Sequence, residues 1–141
     1  MASGYSSMIN ELVTESWIGQ EGKFLKPGGW KNMKIRRVVT DNDTGGKGYV
    51  KWDSKVEAVP GRVGFARSPM WATKKLPAEL TEEDPGKWEF GTTISGGSVF
   101  RLCRYEPGVA ERWHQTDSID YAIVISGEID MQLDTEEVHL K

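Results

Sequence analysis

Beyond residue 35, apolar and polar positions alternate with a period of two, in runs cut by turn clusters. This is the pattern of strands rather than helices. Residues 36–40 (RRVVT) and 48–53 (GYVKWD) are two such runs. Between them Asp41-Asn42-Asp43-Thr44-Gly45-Gly46 predicts a hairpin turn. Residues 63–65 and 70–73 are short apolar pieces on either side of Ser68-Pro69. The acidic, proline-bounded stretch 76–87 (LPAELTEEDPGK) reads as a solvated loop or a single helical turn.

After a turn at 92–97, residues 98–105 (SVFRLCRY) alternate well. Val99, Arg101, Cys103 and Tyr105 share one face, and Phe100, Leu102 and Arg104 share the other. Arg101 and Arg104 therefore point opposite ways, and at least one is expected to face an interior. Residues 121–126 are apolar on both faces, which predicts a strand buried on both sides. Gly127-Glu128 turns the chain. Ile129, Met131 and Leu133 then alternate with Asp130, Gln132 and Asp134 in a strand with one wet face, and residues 138–141 begin another. In the polar first 34 residues, Ile9, Leu12, Val13 and Trp17 fall on one helical face and predict a short amphipathic helix. The expected organisation is an N-terminal arm, 1–34, and one all-β domain, 35–141.

Composition narrows the function. A net charge of -3 with 28% charged residues gives no basic footprint for nucleic acid or an anionic membrane. Six Trp and 16 Gly suit short strands and tight turns. The single cysteine, Cys103, excludes an intramolecular disulfide and reads as a small core residue. Together with the lack of a basic-then-apolar leader, it points to the cytoplasm. No apolar run approaches the ~18 residues that span a bilayer.

The chemistry concentrates in residues 107–129, PGVAERWHQTDSIDYAIVISGEI. There Gly108, five residues, His114, one residue, Thr116, three residues, Asp120, six residues and Gly127 follow in order. This frame resembles the first motif of the cupin superfamily, which reads glycine, five residues, His-x-His, three or four residues, Glu, six residues, glycine. It covers about 20 of the 141 residues. WHQTDSIDY (113–121) is similar to the wording of small single-domain cupins with Trp-His-x-Thr-x-x-Ile-Asp-Tyr.

The resemblance implies a double-stranded β-helix, or jelly-roll barrel, holding a pocket with His114, Thr116 and Asp120. Thr116 stands where metal-binding cupins have their second histidine, and Asp120 where they have glutamate. A threonine hydroxyl is a poor ligand for Fe, Mn, Ni or Zn. His114 and Asp120 are the candidate metal ligands, and the expected cofactor is none or a weakly held divalent metal. The family's second motif would lie past Lys141, so the barrel is expected to be incomplete at its C-terminal end. The closing strands would come from a longer reading frame or from another chain, and a homodimer is expected.

By this resemblance the protein is a small-molecule enzyme of the lyase or isomerase kind, acting on an enolisable or polyketide-like substrate of secondary metabolism. His114 would move a proton and Asp120 would orient it. Thr116, Arg101, Tyr121 and Trp71 would bind substrate, although Asp120 and Tyr121 face opposite ways on one strand. A purely structural His114, a non-catalytic binding cupin and a metal-dependent oxygenase remain alternatives. His139 reads as a surface strand residue.

Overall fold

The computed structural model describes residues Leu12–Thr14 and 34–141. The strands described are β1 (Leu12–Thr14), β2 (Lys34–Asn42), β3 (Gly48–Glu57), β4 (Val59–Pro60), β5 (Phe65–Thr73), β6 (Ser98–Tyr105), β7 (Ile123–Ser126), β8 (Ile129–Gln132) and β9 (Glu137–Leu140). They form a five-stranded sheet in the order β4-β5-β6-β1-β7 and two hairpins, β2-β3 and β8-β9. No α-helix occurs among the described residues.

The β2-β3 hairpin forms where the sequence predicts it. Asp43 Oδ1 accepts from the backbone N–H of Gly45 and of Lys47, both at 2.8 Å, and Gly46 takes the left-handed φ of 78° that closes the turn. The ladder runs from Lys34↔Glu57 to Asn42↔Gly48. Across it Arg36 donates two parallel hydrogen bonds to Asp53, at 3.0 and 2.7 Å.

The two apolar pieces around Ser68-Pro69 merge into one strand, β5. A register shift lies between Pro69 and Trp71, so Met70 is extra to the ladder with β6. A bulge is one of the few places where a proline, lacking an N–H, fits inside a sheet. The Met70 carbonyl is left to accept from Arg37 Nη1 at 3.0 Å, which ties the hairpin to the sheet. Trp52 of β3 lies 6.1 Å from Trp71, centroid to centroid, at the same junction.

The acidic stretch contains a 3-10 turn at Pro85–Lys87, capped by Asp84, whose Oδ1 accepts from Gly86 N at 3.0 Å. The other oxygen of Asp84 accepts from the buried Arg37 guanidinium, which also donates to Ser54 Oγ at 3.3 Å. Arg37 leaves Gly86 no room for a Cβ.

Two expectations are corrected. Leu12 and Val13 are in a strand, not a helix; Ile9 and Trp17 lie outside the described residues. β1 runs parallel to both β6 and β7, pairing Leu12 with Leu102 and Ile123, and Val13 with Cys103 and Val124. Filling the ladders of two strands at once outweighs a helical pattern of barely two turns. Second, the 121–126 strand is confined to Ile123–Ser126, and only one face is covered. Ile123 is 62% exposed and Ile125 57%, while Val124 is half-buried. The expectation that at least one of Arg101 and Arg104 faces an interior is met by Arg101, which is 8% exposed. It sits beside Leu102 and the fully buried Cys103, in the middle of a sheet covered on both sides.

Candidate functional site

Tight packing at the end of β6 launches the motif segment. Gly64 has a φ of 77°, and a Cβ there would crowd Val109 Cγ2 at 3.1 Å. Its carbonyl accepts from Glu106 N at 2.8 Å. Gly108, φ 73°, completes the Pro-Gly turn, and the Arg62 guanidinium holds the Ala110 carbonyl. Residues 110–122 then run without belonging to any strand, with a bend at Asp117 and Ser118. An unbroken strand from Arg112 to Asp120 is therefore not formed.

Alternation survives without the ladder. Thr116, Ser118, Asp120, Ala122, Val124 and Ser126 are half-buried, and the odd-numbered residues between them are exposed. Ser118 Oγ lies 3.2 Å from Thr116 Oγ1 and 3.1 Å from Asp120 Oδ1, its single proton serving one at a time. Thr116 and Asp120 thus belong to one hydroxyl–hydroxyl–carboxylate relay. Ser118 is the member that the motif frame does not single out. Its even spacing between Thr116 and Asp120 was the available signal.

His114 stands apart and is exposed. Its Nδ1 is 2.9 Å from the Arg112 carbonyl, which can only accept, so Nδ1 carries a proton and Nε2 is the ring nitrogen left for a substrate. The group that orients the ring is this carbonyl rather than Asp120.

The paired register sorts the remaining candidates by face. Cys103 and Val124 both pair with Val13 in parallel ladders, so the face of β6 that carries Arg101 and Cys103 continues into that of Val124. The half-buried alternation extends this face to Asp120 and Thr116. Trp71 pairs with Phe100 and so lies on the opposite face from Arg101, with the bulge between them. Tyr121 is 75% exposed and points away from the Asp120 side. Register thus puts Val124 on the face of Arg101, Ser118 joins Thr116 to Asp120, and Trp71 and Tyr121 lie elsewhere.

Trp71 instead lines a cleft of about 380 Å³ with Thr73, Lys74, Glu79, Pro85 and Trp88. Lys74 Nζ sits 4.2 Å above the Trp88 ring, and Trp88 Nε1 donates to Glu83 at 2.9 Å. None of the motif residues borders it. His139 is a surface strand residue bonded across the β8-β9 hairpin to Asp130, at 2.6 Å.

A metal needs about three good donors in a closed geometry. Among the described residues no group of three or more His, Cys, Asp or Glu converges in that way. Asp120 is instead bonded to Ser118, and His114 to the Arg112 carbonyl. No helix among the described residues is long and apolar enough to cross a membrane.

The described residues are all-β, with the Thr116–Ser118–Asp120 relay and His114 on a Gly-bounded segment outside the strands. No family model matches the chain. It is 30% identical over 134 residues to the cupin-domain-containing oxidoreductase virC of Hypocrea virens, an alignment covering 91% of this chain and 67% of that protein. It is 36% identical over 72 residues, 48% of the chain and 36% of the relative, to the cupin-domain-containing oxidoreductase fogC of Aspergillus ruber. It is also 34% identical over 111 residues to phomopsin biosynthesis cluster protein C' of Diaporthe leptostromiformis, covering 72% of this chain. The chain spans 58% of the length of that last relative. The chain belongs to the cupin superfamily, and its fold is that family's jelly roll.

Proposed function

We propose that this chain is the cupin domain of a secondary-metabolism enzyme that moves a proton on a small enolisable or polyketide-like substrate, as a lyase or isomerase. The observation that supports it best is the half-buried Thr116–Ser118–Asp120 relay, with His114 a short way upstream. His114 accepts a proton at Nε2 while its Nδ1–H stays bonded to the Arg112 carbonyl, and returns that proton in a later step. The relay gives a substrate hydroxyl or enol oxygen both a donor and an acceptor. Relatives named for phomopsin biosynthesis, and virC and fogC, supply the secondary-metabolism context.

The test is exchange of the α-hydrogen of a 1,3-diketone in D2O, followed by proton NMR. His114→Ala should remove catalysed exchange. Because the ring is exposed and makes one hydrogen bond to a carbonyl, the melting temperature should fall by only a degree or two. A large loss of stability with exchange intact would make His114 structural. No exchange or turnover by the wild type would favour a non-catalytic binding cupin.

A second reading, a cupin oxidoreductase, is favoured by the names of virC and fogC. Oxygen consumption with added Fe(II) separates it from the first. On the first reading the purified protein carries well under one metal per chain by elemental analysis. The proposal also includes self-association through the exposed apolar face of Ile119, Tyr121, Ile123 and Ile125.

A further inference from the structure

The cleft beside Trp71 has a built frame. One wall is the end of β5, where Trp71 is braced by Trp52. The other is the 76–87 loop, moored to the β2-β3 hairpin at two points. Asp84 meets the buried Arg37 guanidinium, and Lys51 donates to the Thr81 carbonyl at 3.2 Å. About 380 Å³ is room for a small organic molecule.

The charges along the cleft favour a cation. Lys74 and Lys75 stand against Glu79, Glu82 and Glu83. Lys75 is answered by Glu79, one helical turn on in sequence. Among the described residues no carboxylate answers Lys74; its ammonium rests over the Trp88 ring, 4.2 Å from the centroid. The face of a tryptophan is the best aromatic seat for a positive charge. Trp88 is fixed for that task, because Nε1 donates to Glu83 at 2.9 Å and so holds a carboxylate beside the ring.

Lys74 is a weak occupant of this seat. It is exposed, a primary ammonium is strongly hydrated, and fixing its long stem costs rotamer entropy. An ammonium carrying hydrocarbon groups sheds water more readily. Its body would also cover apolar surface that the cleft offers, from the half-buried Trp71 to Leu80, which is 95% exposed.

We propose that this cleft binds an organic cation, an ammonium with an apolar or aromatic body, on the face of Trp88, and that Lys74 is its built-in competitor. The inference does not rest on the proton-transfer reading, since no motif residue borders the cleft.

The test titrates the purified chain with benzyltrimethylammonium, and with benzyl alcohol and benzoate as neutral and anionic counterparts, by NMR at the Trp88 indole N–H. The cation should bind about tenfold or more tighter than either counterpart. Lys74→Ala should tighten it about threefold or more. Lys75→Ala removes the same charge but leaves the ring occupied, so it should gain less. Trp88→Leu should weaken binding about tenfold, and His114→Ala should bind as the wild type does. Melting temperatures check that each variant is folded, and the exposed Lys74 keeps the test open if Trp88→Leu is not. Equal affinity for the three probes, a Lys74→Ala variant that binds no more tightly than the wild type, or an equal gain from Lys75→Ala would overturn the proposal. So would unchanged binding in a folded Trp88→Leu, or binding lost in a folded His114→Ala.

Discussion

Asp84 does two jobs with two oxygens. One caps the 3-10 turn through Gly86 N, and the other answers the buried Arg37 guanidinium. Both side chains are 7% exposed. A buried pair of this kind adds little over an apolar substitute, yet removing one partner strands the other charge away from water. Asp84→Asn should therefore destabilise by about 3 kcal/mol or more, read from urea unfolding at pH 7. Asp53→Asn, which touches an exposed pair, should cost far less. Equal costs would mean that Arg37 finds another partner. This pair was not legible in the sequence. Arg37 reads as one residue of an alternating strand, and Asp84 as one acid in a solvated loop. Only folding of the hairpin onto β5 brings them together.

At the scale of elements, the β2-β3 hairpin is held partly by charge, and this gives it an acid limit. The Arg36 hydrogen bonds and charge hold the Asp53 carboxyl below its ordinary range, and the Lys51 hydrogen bond, then the Asn42 backbone N–H, do the same for Asp41. A depressed carboxyl stabilises the fold above its unfolded value, about 3.9, and that contribution is lost as pH falls through the lower folded value. Urea midpoints should be level near neutrality and decline below about pH 4. Asp53→Asn should flatten the decline, and added salt should shrink the Arg36–Asp53 share more than that of the sheltered Lys51–Asp41 pair. A slope unchanged in Asp53→Asn would place the acid sensitivity elsewhere.

The hairpin was readable because its turn chemistry is local, and β6 because its alternation is long. β1 was not, because its partners Cys103 and Val124 are remote and Leu12-Val13 suits a helical face as well as a strand. The motif segment was half legible: parity sets Asp120 and Tyr121 on opposite sides, and the structure has Asp120 half-buried and Tyr121 exposed. Counting spacings could not show that His114 bonds to Arg112 instead. Since β1 sits inside the sheet, Val13→Pro should remove a ladder N–H and bring an early, broad thermal transition, checked by circular dichroism. A transition like the wild type's would mean that β6 and β7 are held by other means.

For the whole molecule, the row of Ile119, Tyr121, Ile123 and Ile125 sets four large apolar side chains against solvent. Sedimentation should show a dimer or larger at micromolar concentration, and Ile123→Glu with Ile125→Glu should shift it toward monomer while the fold persists. A clean wild-type monomer would rule out self-association through this face. The placement of β1 also has a consequence in time. During synthesis the residues of β1 leave the ribosome long before β6 and β7, the two strands they join. The sheet cannot be zipped in the order the chain emerges. β1 must wait, unpaired and available to chaperones or to other chains, until β6 and β7 arrive. Long-range parallel pairing of this kind makes for slow folding, so the yield of native protein should depend on how well that early segment is shielded during the delay.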